Sequence, residues 1–306
     1  MSEWRLADLP DQSGRRVLVT GCTRGGLGHH TALELARRGA EVVLAGRSEA
    51  TLADTQSTIA AEVPDARTSR LVVDLADLAS IRTAAAGVTG PLHVLVNNAG
   101  VMAPAYRRTV DGFELQIATN HFGPFLLTGL LLPRLLESGA GRVVTVASNM
   151  HRNARSAPLG DPRVQEGRYQ RWAEYSRSKL ANLLFTFELD RRLRAAELPV
   201  KALAAHPGFA GTHLLTNGQL GRGTGGVASI LDAAVKAVSQ SAASGALPTL
   251  MAATADLPGS TYCGPSGFQE MRGAPRTVGC SSLARDVDAQ RRLWELSEEA
   301  VGLAYP

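Results

Sequence analysis

Tyr175 and Lys179 stand four residues apart in Tyr175-Ser176-Arg177-Ser178-Lys179, near the start of a long helical pattern. That spacing puts both side chains on one face of a helix. A free tyrosine titrates near 10, a poor match for proton transfer near pH 7. A neighbouring ammonium favours tyrosinate and lowers that value. The pair therefore reads as a general acid/base. The chain has 5 tyrosines and only Lys179, Lys201 and Lys236 as lysines. At that composition the spacing arises by chance in about one chain in twenty, so it needs support from elsewhere. Ser148, after Val146-Ala147, supplies a hydroxyl at the end of an apolar run. At the C-terminal end of a parallel strand it would face the ligand crevice and could hydrogen-bond a reacting oxygen.

A second constellation lies near the N-terminus, in Thr20-Gly21-Cys22-Thr23-Arg24-Gly25-Gly26-Leu27-Gly28. It follows the first apolar run and opens the first helical pattern. Glycines let the backbone turn tightly and approach a pyrophosphate. The helix start offers free N–H groups and a positive dipole end. This context reads as a dinucleotide loop, with Gly21, Thr23, Arg24, Gly26, Leu27 and Gly28 as candidate cofactor contacts. The second run ends Leu44-Ala45-Gly46-Arg47-Ser48, with no acid for a ribose 2′-hydroxyl. Arg47 can hold a 2′-phosphate with a bidentate fork, and Arg24 could reach the same group. These residues predict NADP(H) as cofactor.

Strands and helices must alternate to position these groups. Apolar runs at Arg16–Thr20, Glu41–Ala45, Arg70–Val73, Leu92–Val96, Arg142–Ala147 and Val200–Ala205 are continuous, as in parallel strands buried on both faces. Helical patterns cover Leu27–Arg38, Glu49–Glu62, Leu78–Val88, Gly112–Glu137 and Trp172–Ala196. The rhythm predicts an α/β fold, a doubly wound parallel sheet of about seven strands with helices on both faces. One domain spans 1–306: a core at 16–205, a substrate loop and closing elements at 206–275, and a C-terminal helix at 276–306. His206–Gly226 reads as a loop, Val227–Ser239 as a helix and Ala243–Ala255 as a helix-like stretch broken by Pro248. A short strand near Thr261–Cys263 closes the sheet, and Ala284–Glu299 reads as the last helix.

Composition excludes several classes. The net charge of +4 rests on scattered arginines interleaved with acids, without the basic block of a nucleic-acid surface. Cys22, Cys263 and Cys280 form no CxxC or zinc spacing, so no metal is expected. No apolar run reaches the roughly 20 residues of a membrane helix. Phe125–Leu132 is short and ends at Pro133. The start shows no charged segment followed by an apolar one, and a cytoplasmic location is expected.

Together these motifs resemble the short-chain dehydrogenase/reductase family, whose fold is of Rossmann type. The family's order holds across nearly the whole chain: the glycine loop, Asp74, Asn97-Asn98-Ala99-Gly100, Asn120, Ser148, Tyr175 with Lys179, Pro207-Gly208 and Thr212. The resemblance implies roles. Asp74, with Leu75, meets the adenine. Asn98, Ala99 and Gly100 line the cofactor groove. Asn120 holds a water linking Lys179 to solvent. Ser148 orients the carbonyl, and Tyr175 gives or takes the substrate proton. Lys179 lowers the tyrosine pKa and binds the nicotinamide ribose. Pro207 and Gly208 border the cofactor, and Thr212 bonds the nicotinamide carboxamide. The activity implied is interconversion of a ketone or aldehyde and an alcohol.

Thr119-Asn120-His121-Phe122-Gly123-Pro124-Phe125, Glu270-Met271-Arg272-Gly273 and Arg292-Leu293-Trp294 resemble the retinol-dehydrogenase-like branch, which implies a lipophilic carbonyl or alcohol substrate. Homodimers or homotetramers on the helices carrying Asn120 and Tyr175 are common in the family. The glycine loop departs from the usual pattern by one extra residue, which leaves open which glycine meets the pyrophosphate. Ala147 stands where serine is frequent. An epimerase-like enzyme or a non-catalytic NADP(H)-binding regulator on the same scaffold is the alternative, and NADPH consumption separates these. His151–Ala173 carries five arginines against Asp161 and Glu166. If it borders the pocket, Arg155 and Arg168 would favour an anionic or carrier-linked ketone; a solvated loop explains the same charges. His206 and His213 read as structural or pocket-lining, because Tyr175 already supplies the proton.

Overall fold

The run from Arg16 to Thr20 forms β1 (Arg16–Thr20), buried at four of its five positions. A computed structural model of the chain describes residues 4–163, 166–209 and 240–306. Thr212, His213 and the expected helix at 227–239 lie outside the described residues, as does most of the expected loop at 206–226.

The sheet continues through β2 (Glu41–Gly46), β3 (Arg67–Val72), β4 (Val94–Asn97), β5 (Gly141–Val146), β6 (Val200–Ala205), β7 (Tyr262–Pro265) and β8 (Pro275–Thr277). Their spatial order is β3-β2-β1-β4-β5-β6-β7-β8. All pairs are parallel except β7 with β8. The order reverses between β1 and β4, so a crevice opens at the C-terminal ends of those strands.

Two expectations shift. The sheet has eight strands rather than about seven; β8 has only three residues and no apolar run to announce it. β3 is the edge strand and is largely solvent-facing, so its sequence Arg-Thr-Ser-Arg-Leu-Val is polar and its pairing starts at Arg67, before the apolar residues.

Helices α1 (Leu27–Arg37) and α2 (Glu49–Glu62) lie against one face, together with α7 (Ala242–Thr254). On that side Val17, Val19, Leu44, Leu33 and Leu250 share a core. On the other face lie α3 (Leu78–Ala86), α5 (Gly123–Glu137), α6 (Arg171–Ala195) and α8 (Val287–Val301). Leu18, Leu95, Phe125, Leu184 and Trp294 share the core there. Pro248 is buried inside α7 without ending it; packing of Leu250, Met251 and Ala252 on the sheet outweighs the missing backbone hydrogen bond. α8 starts at Val287 because the Asp286 carboxylate accepts from the backbone N–H groups of Asp288 and Ala289. It ends where Gly302 adopts a left-handed conformation, φ 62°. Trp294 and Tyr305 then pack on Phe125, so the C-terminal helix and tail cover α5.

The expected continuous helix over Gly112–Glu137 is broken. A short turn, α4 (Leu115–Ile117), runs into a five-residue π-helical segment, Ala118–Phe122, before α5 begins. Such segments frequently mark functional positions, and this one carries Asn120.

His121 in the same segment is fully buried beside Phe122, Phe125 and Phe185. The Ser297 hydroxyl donates to Leu293 O at 2.6 Å, so it accepts from His121 Nε2 at 2.7 Å. Burial holds the imidazole pKa down to about 3. His151, also buried, is held down to about 4 by the same cause. Both folded values lie below the ordinary 6.5. The stability they contribute is therefore complete above pH 6.5 and is lost as pH falls toward 4 and 3. His29, His30 and His93 are lowered in the same direction. Between pH 6.5 and 5, above the carboxylate range, His121 and His151 each cost up to about 1.4 kcal/mol per pH unit. Urea unfolding at pH 7 and pH 5 should show that loss, and His121→Gln should flatten it while weakening the fold at pH 7. An unchanged slope in His121→Gln would exclude His121 as a source.

Candidate active site

The cleft at the C-terminal ends of β1, β4 and β5 encloses about 420 Å³. Three chain segments lock its glycine-loop end. Thr20 Oγ1 accepts from the backbone N–H groups of Asn98 and Ala99, each at 3.0 Å. Asn98 Nδ2 donates to Thr20 O at 2.7 Å. A Cβ at Gly28 would lie 2.6 Å from both Asn98 Nδ2 and Gly21 O, so only glycine lets α1 start this close to the loop. Gly26 is the N-cap of α1 and offers no side-chain cap, which leaves first-turn N–H groups open to an anion.

Within the lengthened loop Gly25 turns left-handed at φ 74°. Its N–H donates to His29 Nδ1 at 3.2 Å. Gly26, not Gly25, lines the cleft. His29 is thus a loop-shaping residue that sequence reasoning missed; its only signal is a histidine four residues after a glycine.

The candidate cofactor residues divide into three groups. Gly21, Thr23, Gly26, Leu27, Arg47, Asp74, Leu75, Asn98, Ala99, Gly100 and Pro207 line the cleft, as do Tyr175 and Lys179. Gly28 and Gly208 do not line it. Gly208 N–H donates to His206 Nδ1 at 3.2 Å, and His206 Nε2 meets Glu270 Oε2 at 3.1 Å, so His206 serves the turn structurally. Arg24 is turned away: its guanidinium pairs with Asp54 at 3.3 Å on the surface. Arg47 is exposed and has no ion-pair partner among the described residues.

At the other end, β5 and α6 bring Ser148, Tyr175 and Lys179 together. Lys179 Nζ donates to Val146 O at 2.9 Å, and Asn182 Nδ2 donates to the same oxygen at 3.1 Å. These bonds moor α6 to the strand end two residues before Ser148. The Ser148 hydroxyl accepts from Met150 N–H at 3.2 Å and caps a 3-10 turn, Asn149–Asn153. His151 Nδ1 contacts Ser148 O at 2.8 Å, and Ser281 N–H donates to His151 Nε2 at 3.1 Å. The imidazole therefore donates through Nδ1 and ties Ser148 to the C-terminal region. This is a second positioning residue that the sequence did not announce.

Burial pushes the Tyr175 phenol up to about 12, against a hydrogen bond with the Ser148 side chain that pulls it down. Burial also holds the Lys179 ammonium down to about 8. Sequence reasoning has the ammonium lowering the phenol. Here Nζ sits 5.9 Å from the ring centroid and is engaged with Val146, so loss of hydration dominates both groups. Asn120 is buried in the π segment; its Oδ1 accepts from Val101 N–H at 2.8 Å, and its Nδ2 donates to Val101 O and Ser178 Oγ at 3.0 and 2.9 Å. It thereby joins the β4–α4 connection to α6. A phenol that keeps its proton at neutral pH, beside a serine hydroxyl and a buried ammonium, can protonate a carbonyl oxygen.

Residues 15–159 match the family model for short chain dehydrogenase. Human retinol dehydrogenase 13 is 36% identical over 305 residues, covering 96% of this chain and 86% of that protein. The chain belongs to the short-chain dehydrogenase/reductase family, in its retinol-dehydrogenase-like branch. Zebrafish (Danio rerio) polyprenol dehydrogenase is a further relative in this short-chain dehydrogenase set, 35% identical over 313 residues, covering 98% of this chain and 90% of that protein. A crystal structure of an uncharacterized protein from Mycobacterium paratuberculosis superposes on this short-chain dehydrogenase with a TM-score of 0.81. It is 43% identical, and the match covers 100% of both chains. The protein is thus an oxidoreductase by family. Among its described residues, no helix is long and apolar enough to cross a membrane.

Proposed function

We propose that the protein is an NADP(H)-dependent oxidoreductase that interconverts a ketone or aldehyde and an alcohol. The observation that carries the cofactor reading is Arg47. It follows β2 at the rim of the cleft with its guanidinium unpaired among the described residues, and Asp74 is the one carboxylate-bearing residue in the described lining. A guanidinium there attracts a 2′-phosphate, whereas the acid typical of NAD sites would repel it. Open N–H groups at the start of α1 and the close approach at Gly28 suit the pyrophosphate.

Bound NADP(H) would supply the hydride in reduction and accept it in oxidation. The chain's own residues do the rest. Ser148 donates to the carbonyl oxygen and orients it. Tyr175, protonated at neutral pH, passes its phenolic proton to that oxygen as negative charge develops. Lys179 keeps a cation near the phenol and is positioned by Val146 O. In oxidation the same phenol must first lose its proton, so the oxidative rate should rise with pH.

Titration of the purified protein with NADPH and with NADH tests the cofactor reading. NADPH should bind at least about tenfold tighter, one charge-assisted hydrogen bond's worth of difference. Equal or tighter NADH binding overturns it. Binding without any NADPH consumption across aldehydes and ketones would favour a non-catalytic regulator or an epimerase-like enzyme.

A further inference from the structure

A second space of about 500 Å³, an open surface hollow, lies beside the catalytic cleft. Its walls are Pro104, Tyr106, Tyr169, Arg171 and Trp172. Pro104 also lines the cofactor cleft, so the two spaces are neighbours. Trp172 stands three residues before Tyr175 in α6, and their rings meet edge-on with centroids 6.3 Å apart. The alcove therefore begins about one helical turn from the phenol that handles the proton.

The walls are built. Gln116 is fully buried, and its side chain bonds only to the segments that form them. Its Oε1 accepts from Ala103 N–H at 2.9 Å. Its Nε2 donates to Tyr169 OH at 2.8 Å and to Arg171 O at 2.9 Å. Tyr169 OH in turn donates to Pro104 O at 3.0 Å. One buried amide thus staples the 103–104 segment to the 169–171 segment. Tyr106 packs on Tyr169 with ring centroids 5.4 Å apart, and its hydroxyl is engaged by Arg108 at 2.7 Å. With the phenol oxygens engaged in the protein, both tyrosines have ring surface left for the space between the segments.

Arg171 is the one charged residue among those lining the alcove, while the buried Glu114 and the half-buried Glu174 lie behind Tyr169. Arg171 and Trp172 are exposed. The neighbouring acid, Glu174, is paired with Arg177 at 3.3 Å, and Arg171 has no ion-pair partner among the described residues. An unpaired guanidinium beside aromatic walls suits a flat apolar group that ends in a carboxylate. Arg155 and Arg168, the arginines that the sequence singles out, do not line this space.

We propose that this alcove binds the non-reacting end of the substrate, and that this end is an aromatic or conjugated group bearing a carboxylate. The proposal rests on the reading of Ser148, Tyr175 and Lys179 as the reaction centre. Tyr106, Tyr169 and Trp172 hold the flat group, and Arg171 takes the carboxylate in a bidentate pair. The reacting carbonyl then lies toward Tyr175.

The test is direct binding of two probes to the full-length protein by calorimetry: 4-(2-naphthyl)butanoate and its uncharged analogue, 4-(2-naphthyl)butan-1-ol. The acid should bind at least about tenfold tighter than the alcohol. Arg171→Gln should bring the acid down to the alcohol's affinity and leave the alcohol unaffected. Trp172→Ala should weaken both by about tenfold. Both side chains are exposed, so neither change threatens the fold. Equal binding of acid and alcohol, a difference that survives in Arg171→Gln, or no binding of either probe overturns the proposal. If the probes bind as stated but no carbonyl consumes NADPH, the alcove stands and the redox reading falls. If NADPH is consumed but the probes ignore Arg171, the reverse holds.

Discussion

Tyr175→Phe should lower kcat for carbonyl reduction by about 10²–10⁴-fold, the contribution of a positioned general acid. NADPH affinity should change little, because the ring remains in the cleft wall and only the hydroxyl is lost. The effect is expected to be large because the described structure offers no equivalent donor. Lys179 is engaged with Val146 O, and the Ser148 hydroxyl can hydrogen-bond the substrate oxygen but is too weak an acid to give up its proton. His206 faces Glu270 and the Gly208 backbone, and His151 is committed to Ser148 O and Ser281 N–H. Single-turnover reduction followed at the NADPH absorbance separates this chemical step from product release. A loss of less than about tenfold would mean that the proton comes from another group. In the wild type the reductive rate should hold constant through neutral pH, because burial keeps the phenol protonated.

Arg47→Asp should weaken NADPH binding at least about 100-fold and improve NADH binding. A bidentate guanidinium–phosphate pair makes two charge-assisted hydrogen bonds, each worth about 1.5–3 kcal/mol, and tenfold corresponds to about 1.4 kcal/mol. The new carboxylate would repel the 2′-phosphate and accept from a ribose hydroxyl instead. Arg24→Ala provides the contrast. Arg24 pairs with Asp54 at the surface, so its loss should change NADPH affinity by less than about threefold, as expected of an exposed pair. If Arg24→Ala hurts as much as Arg47→Asp, Arg24 must leave Asp54 when the cofactor binds.

The sequence by itself determined the elements with the strongest local signals. β1, β2, β5 and β6 were legible because they sit in the sheet interior, where both faces are buried and apolar runs are continuous. α2 was legible at both ends, Glu49–Glu62, with Ser48 capping its start by accepting from Thr51 N–H. The closeness of Tyr175 to Lys179 follows from helix spacing, and the glycine loop announces itself by its place between β1 and α1.

Tertiary structure decided what depends on distant partners. β3 is an edge strand, so it lacks the apolar signature of its neighbours. The π segment carries Asn120, whose side chain bonds Val101 and Ser178, 19 residues upstream and 58 downstream. Arg24 and Arg47 both offer a guanidinium in the sequence, and the structure separates them: Arg47 lines the cleft, whereas Arg24 pairs with Asp54 on α2. Whether a buried lysine lowers a buried phenol depends on hydration and on which oxygen takes the ammonium, and neither quantity is encoded in spacing along one helix. The alcove is the clearest case. Its walls come from segments some 65 residues apart, joined through Gln116, a residue with no local reason to be noticed.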